Sequence, residues 1–123
     1  MLLVDAANVV GSRPTGWWRD RAGAARTLVE RLRAAPESSV PRPVVVVLEG
    51  KARPGVDEGD ADGVGVVHAG GEGDDTLAAI ADDADDAVVL VSADRGLIER
   101  VRRAGGDVVG PNWLLTRLDD ADA

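Results

Sequence analysis

The chain has 123 residues, three tryptophans, no cysteine, phenylalanine or tyrosine, and a formal charge of −8. That length supports one domain with an aliphatic core of Val, Leu and Ala, and the absence of cysteine excludes disulfides, thiolate nucleophiles and cysteine-ligated zinc. The acidity argues against a surface made for indiscriminate grip on nucleic acid, since polyphosphates are met by basic patches.

The first strand is expected at Leu2–Val4. No basic or apolar leader precedes it and no run is long enough to span a bilayer, so a soluble, cytoplasmic protein is expected. A loop over Val10–Asp20, punctuated by Gly11, Pro14 and Gly16, leads to a helix over Ala22–Ala35, where Ala25, Leu28, Val29 and Leu32 have helical spacing. The run Val44–Leu48 is continuously apolar, as in a parallel strand covered on both faces. A polar, acidic, Gly-rich stretch, Gly50–Gly63, then connects directly to a third strand, Gly63–His68. Helical spacing returns over Asp75–Ala84, a strand is expected at Ala87–Val91, and Leu97, Ile98 and Val101 mark a helix over Gly96–Ala104 that stops at Gly105-Gly106. A last strand, Asp107–Gly110, precedes a helix over Trp113–Leu118 with Asn112 as its cap. Alternating strands and helices with right-handed crossovers predict a three-layer α/β/α sandwich with a mostly parallel five-stranded sheet, residues 1–118 as one domain and 119–123 as an acidic tail.

Asp5, Asp75 and Asp94 each stand where a strand ends or where a helix opens. In an open parallel sheet the strand C-terminal ends border the ligand crevice, so three acids distant in sequence are expected at one rim. Like charges held that close repel unless a cation lies between them, and all-oxygen donors suit Mg²⁺ or Mn²⁺. Asn8, three residues after Asp5, adds an orienting amide, and Asp74 is a fallback for Asp75. Each acid also has a simpler role as a helix or turn cap; convergence on one rim is what argues for more. Arg13, Arg19, Arg21, Lys51 and Arg53 lie in two loops expected to flank the acids, with Arg13, Arg19, Lys51 or Arg53 expected to hold phosphates, and Trp17 or Trp18 is placed to stack on an unpaired base. His68 sits within a strand pattern and is read as structural. The acidic runs Asp57–Asp62, Asp82–Asp86 and Asp119–Asp122 are read as solvated faces.

The stretches Leu3-Val4-Asp5-Ala6-Ala7-Asn8-Val9, Gly71–Leu77 and Val91-Ser92-Ala93-Asp94-Arg95 resemble the three acidic motifs of NYN domains, a branch of the PIN-like nucleases, and are most similar to the YacP-like group. Nearly the whole chain is covered, with the motifs in order. The resemblance implies a PIN-like sandwich in which Asp5, Asp75 and Asp94 bind Mg²⁺ or Mn²⁺ and, with Asn8, serve hydrolysis of RNA phosphodiesters. Ala6 departs from the glycine often found there, and Glu49 stands where the family variably places a further acid.

The expected activity is therefore metal-dependent ribonuclease action on RNA, with a ribonucleoprotein or protein partner delivering substrate to an acidic enzyme. Two alternatives remain at this level. One is a PIN-like module that binds RNA or protein without cutting; the other is a small Mg²⁺-dependent phosphatase or phosphotransfer domain. A dinucleotide site is disfavoured because Gly70-Gly71-Glu72-Gly73 leads into Asp74-Asp75, and acids at a helix start repel a pyrophosphate.

Overall fold

In a computed structural model covering Met1–Ala123, the elements in chain order are β1 (Leu2–Asp5), α1 (Ala6–Gly11), α2 (Arg21–Ala34), β2 (Val44–Leu48), β3 (Gly59–Ala61), β4 (Val64–His68), α3 (Gly73–Asp83), β5 (Val89–Val91), α4 (Arg95–Arg103), β6 (Asp107–Val109) and α5 (Pro111–Asp122). The sheet has six strands in the order β3-β4-β2-β1-β5-β6. Every pairing is parallel except β3 with β4. The expected α/β/α sandwich is what the chain adopts, with one strand more than the five expected.

The extra strand comes from the stretch expected to be a plain connection. A 3-10 turn over Gly50–Gly55 is followed by β3, which folds back on β4 with Ala61 opposite Val64. Only Asp62 and Gly63 intervene, with φ of 54° and 75°. Positive φ at both central residues of a two-residue hairpin is the type I′ geometry, which Asp-Gly supplies readily. Three more expectations change. The segment after β1 begins with the short helix α1 and carries a 3-10 turn at Trp17–Arg19, and α5 runs through the residues expected to be a tail. Asn112 does not cap α5; Gly110 holds that position and Pro111 opens the helix.

Strand alternation divides the core into two layers. Leu2, Val4, Val44, Val46, Leu48 and Val91 pack against α1, α2 and α5, whereas Leu3, Val47 and Leu90 pack against α3 and α4. Both layers are closed by fully buried aliphatic side chains such as Leu3, Leu32, Leu90 and Leu114. Truncating one of these to alanine costs about 2–5 kcal/mol in a typical core.

This alternation also positions the site. The same parity that buries Leu3, Val47 and Leu90 puts Asp5, Glu49 and Ser92 on the α3/α4 side of the sheet, just beyond the packed layer. The chain leaves β1 toward β2 but leaves β5 toward β6. The connections thus diverge between β1 and β5, and there a doubly wound sheet opens its crevice.

Candidate functional site

The crevice is a concavity of about 380 Å³ lined by Asp5, Ala7, Asn8, Glu49, Glu72, Asp74 and Asp94. Five of those seven side chains are carboxylates, and no arginine or lysine is among them. Asp5 and Asp94 arrive from the ends of the neighbouring strands β1 and β5, Glu49 from β2, and Glu72 and Asp74 from the start of α3.

Asp5 is the most enclosed of the strand-end acids. One carboxylate oxygen accepts the Asn8 amide at 3.3 Å, so Asp5 caps α1; the other accepts the Ser92 hydroxyl at 2.9 Å. Ser92 is buried, and its oxygen also accepts the Asp94 amide at 3.1 Å. The Asn8 side-chain oxygen accepts the Ala93 amide at 2.8 Å. The ends of β1 and β5 are thereby tied by side-chain bonds just where ladder pairing stops. Burial pushes the Asp5 carboxyl above its ordinary range; the bonds from Ser92 and Asn8 oppose this, and the charges of Glu49 and Asp94 add to it.

Asp94 caps α4 by accepting the Leu97 amide at 3.0 Å, which leaves its second oxygen free. Glu49 does the same for α3, accepting the Gly73 amide at 2.5 Å. Position 73 suits this contact, because a Cβ there would lie 3.3 Å from the Glu49 oxygen. The caps and the convergence are therefore one arrangement. Asp5, Asp94 and Glu49 are each anchored to a helix start through one oxygen, and the anchoring aims them at the crevice.

Asp75 lies elsewhere. Helix α3 opens at Gly73, earlier than the spacing predicts, so Asp74 faces the concavity while Asp75 turns toward α4 and pairs with Arg100 at 2.9 Å. Asp75 is 81 % exposed at its side chain. The fallback residue thus occupies the place expected of Asp75. Glu72, in the lining, and Ser92, buried beneath Asp5, are site residues that sequence reasoning missed. Glu72 is the residue before the helix, and the signal that marks it is the Glu-Gly-Asp run itself.

The expected basic border is rearranged. Arg13 donates to Asp119 at 2.9 Å, and Arg31 joins the same acid, so Arg13 serves the α2–α5 side of the fold. Arg53 donates to the backbone oxygens of Gly50 and Ala69, bracing the turn after β2. Arg19 lies 5.8 Å from the Trp18 ring centroid, and Lys51 is exposed on the Gly50–Gly55 turn. Trp17 is half-buried beside α1, its ring 3.6 Å from where a Gly11 Cβ would lie, whereas Trp18 is 54 % exposed. His68 has its Nε2 2.7 Å from the Val56 oxygen and is occupied structurally. A basic surface that the loops did not foretell lies on α4, where Arg95, Arg100, Arg102 and Arg103 are exposed and begin directly after Asp94.

The donor set suits a hard divalent cation: oxygen only, several carboxylates, and no cation of the protein's own. The raised Asp5 carboxyl comes first from burial and only then from the charges of Glu49 and Asp94. As the side chains stand, no three acids are grouped closely enough to hold an ion, so the free oxygens of Asp94, Asp74 or Glu49 must turn toward Asp5 for one to bind.

No family model matches the chain, and no curated protein is matched either. Among solved structures the chain is similar to Rae1 (YacP) from Bacillus subtilis. Against a tryptophan-to-leucine variant of that protein the TM-score is 0.75 at 16 % identity, covering 98 % of this chain and 75 % of that one. Against a second structure, of Rae1 (YacP) without that substitution, it is 0.73 at 17 % identity, covering 99 % and 75 %. At that identity the likeness establishes a shared fold, from β1 to α5, with the bacterial YacP protein.

Proposed function

We propose that this chain is a metal-dependent ribonuclease of the YacP-like NYN kind, cutting RNA phosphodiesters at the β1/β5 crevice. The observation that carries the reading is the five-carboxylate concavity at the point where the sheet's connections diverge, with half-buried Asp5 facing Glu49 and Asp94 and no lysine or arginine in the lining. The shared fold with Rae1 (YacP) supports it, as do the three acidic motifs in order.

Asp5 and Asp94, with Asp74 or Glu49, would hold Mg²⁺ or Mn²⁺. A bound cation of that kind makes water a competent nucleophile at neutral pH and neutralises charge on the phosphate oxygens. Hydrolysis joins the water oxygen to phosphorus and breaks one P–O ester bond in line with it. Ser92 and Asn8 act as positioning residues: they fix Asp5 and the Ala93–Asp94 backbone so that both acids face the same phosphate. Phosphates to either side are met by the exposed arginines of α4, beginning at Arg95, and by Lys51 and Arg19. The protein's overall acidity limits non-specific grip, so delivery by a ribonucleoprotein or protein partner belongs to the proposal.

The competing reading, a binding module that does not cut, is favoured by the open spacing of the acids. The test is incubation of purified protein with single-stranded and structured RNA pools in Mn²⁺, Mg²⁺ or EDTA, with and without a ribonucleoprotein fraction. Metal-dependent cleavage lost in Asp94→Asn is expected; RNA binding without cleavage under every condition would establish the module instead.

A further inference from the structure

A second cavity, about 440 Å³, adjoins the acid concavity. It lies between α1, the start of α2, the turn after β2 and the loop before α3, and shares Ala7, Glu49 and Glu72 with the acid site. Its volume falls within the roughly 300–1,000 Å³ typical of small-molecule sites, too small for a partner helix. The walls are mostly apolar, from Ala6, Val10 and Ala52, with Trp17 as the aromatic surface. Three charged groups line it; Glu49 is bound to the Gly73 amide, and Arg21 and Glu72 are unengaged. Arg21 lies 5.5 Å from the Trp17 ring centroid and makes neither an ion pair nor a side-chain hydrogen bond. Glu72 is exposed at the mouth, and its carboxylate accepts no hydrogen bond within the protein.

We propose that this cavity receives one unpaired guanine of the RNA strand, next to the bond that is cut. The substrate class rests on the ribonuclease reading; the choice of base rests on the cavity. Single-stranded RNA is recognised by stacking bases on aromatic or guanidinium planes and by hydrogen bonds to their edges. Trp17 supplies the plane. Of the four bases, guanine alone carries two adjacent N–H donors on its Watson–Crick edge, N1 and N2, which match the two oxygens of a carboxylate such as Glu72. Its opposite edge, O6 and N7, accepts from a guanidinium, and Arg21 has no competing acceptor. Adenine and cytosine present an acceptor beside their single amino group, which a carboxylate repels.

The test uses uncleavable 2′-O-methyl hexamers, all uridine or with one central G, A or C, titrated calorimetrically into the intact protein in EDTA at low salt. The G hexamer is expected to bind about tenfold more tightly than the other three. Glu72→Gln is expected to bring the G-to-A ratio close to one, and Trp17→Leu to weaken the A and G hexamers alike. The ratio is the readout because removing a negative charge strengthens binding of every polyanion. Glu72 is exposed, so its variant should melt as wild type does. Equal affinity for all four hexamers, no measurable binding, or a G preference that survives Glu72→Gln would overturn the proposal. A G preference in a protein that cuts no RNA would retain the pocket and remove the nuclease, and cleavage without base preference would do the reverse.

Discussion

Asp5 and Asp119 are the same residue type in opposite circumstances. Asp119, at the far end of the sequence, is solvent-exposed and lies between Arg13 and Arg31, whose hydrogen bonds hold its carboxyl below the ordinary range. Asp5 is enclosed, faces Glu49 and Asp94, and has its carboxyl pushed up. Arg13 and Arg31 pair with Asp119, Arg31 reaching Asp122 as well; around Asp5 the protein provides no cation. The contrast separates acids that fasten the structure from acids that wait for something else, a distinction that net charge conceals.

The largest effect expected from this contrast is on catalysis. Asp5→Asn and Asp94→Asn should each lower metal-dependent RNA cleavage about a hundred- to a thousandfold, the scale seen when a group stabilising transition-state charge is removed. Asp119→Asn should leave it intact. Asp75→Asn should cost less than about tenfold, since Asp75 pairs with Arg100 outside the crevice. Single-turnover cleavage rates check this, and a loss at Asp75 as large as at Asp5 would erase the distinction between the two acids.

Next in size is cation binding. A concentration of Mn²⁺ ten times its dissociation constant stabilises a folded protein by about 1.4 kcal/mol. Thermal melts should therefore rise with Mn²⁺ in wild type, but not in the Asp5→Asn, Asp94→Asn double variant. The Asp119 cluster, already neutralised, should add nothing to the shift.

Much of the fold was legible in the sequence because burial on both faces of β2 and β5 leaves continuous apolar runs, and because α2, α3 and α4 bury one stripe each. The hairpin was written there too. Asp62-Gly63 is a two-residue turn signal, but exposed Gly59, Asp60 and Ala61 lack the apolar alternation that identifies a strand. At the site, Asp5 and Asp94 were readable as strand-end acids. The choice between Asp74 and Asp75 was not, because it turns on which residue starts α3, and a one-residue shift rotates a helical side chain by about 100°. Nor could sequence show that Arg13 is claimed by Asp119, a partner 106 residues away.

Stability against pH should divide the two aspartates by sign. In EDTA the folded protein holds the Asp5 proton more tightly than the unfolded chain does, so this group disfavours folding once pH rises above its unfolded value near 3.8, and increasingly until the folded carboxyl has ionised. Asp5→Asn should accordingly stabilise the metal-free protein at neutral pH, by on the order of 1 kcal/mol as is usual when site strain is relieved, and lose that advantage below the unfolded value. Asp119 works the other way. Its carboxyl is lowered on folding, so its stabilisation is present above about 3.8 and disappears as pH falls through the folded value. The smallest effect expected is on this side: Arg31→Ala should lower the melting temperature by a few degrees at pH 7 and by less in acid or high salt, as for exposed pairs in general.

The neighbouring tryptophans carry a spectroscopic consequence. Their rings meet edge-on at 6.0 Å with an 88° interplanar angle, and the chain has no tyrosine to add background. The third indole, Trp113, lies beneath Arg117 at 4.0 Å and is remote in sequence from the other two. Coupled indole transitions should give a paired near-ultraviolet circular dichroism band that arises beside the crevice and nowhere else, so the molecule bears its own optical reporter for whatever enters there.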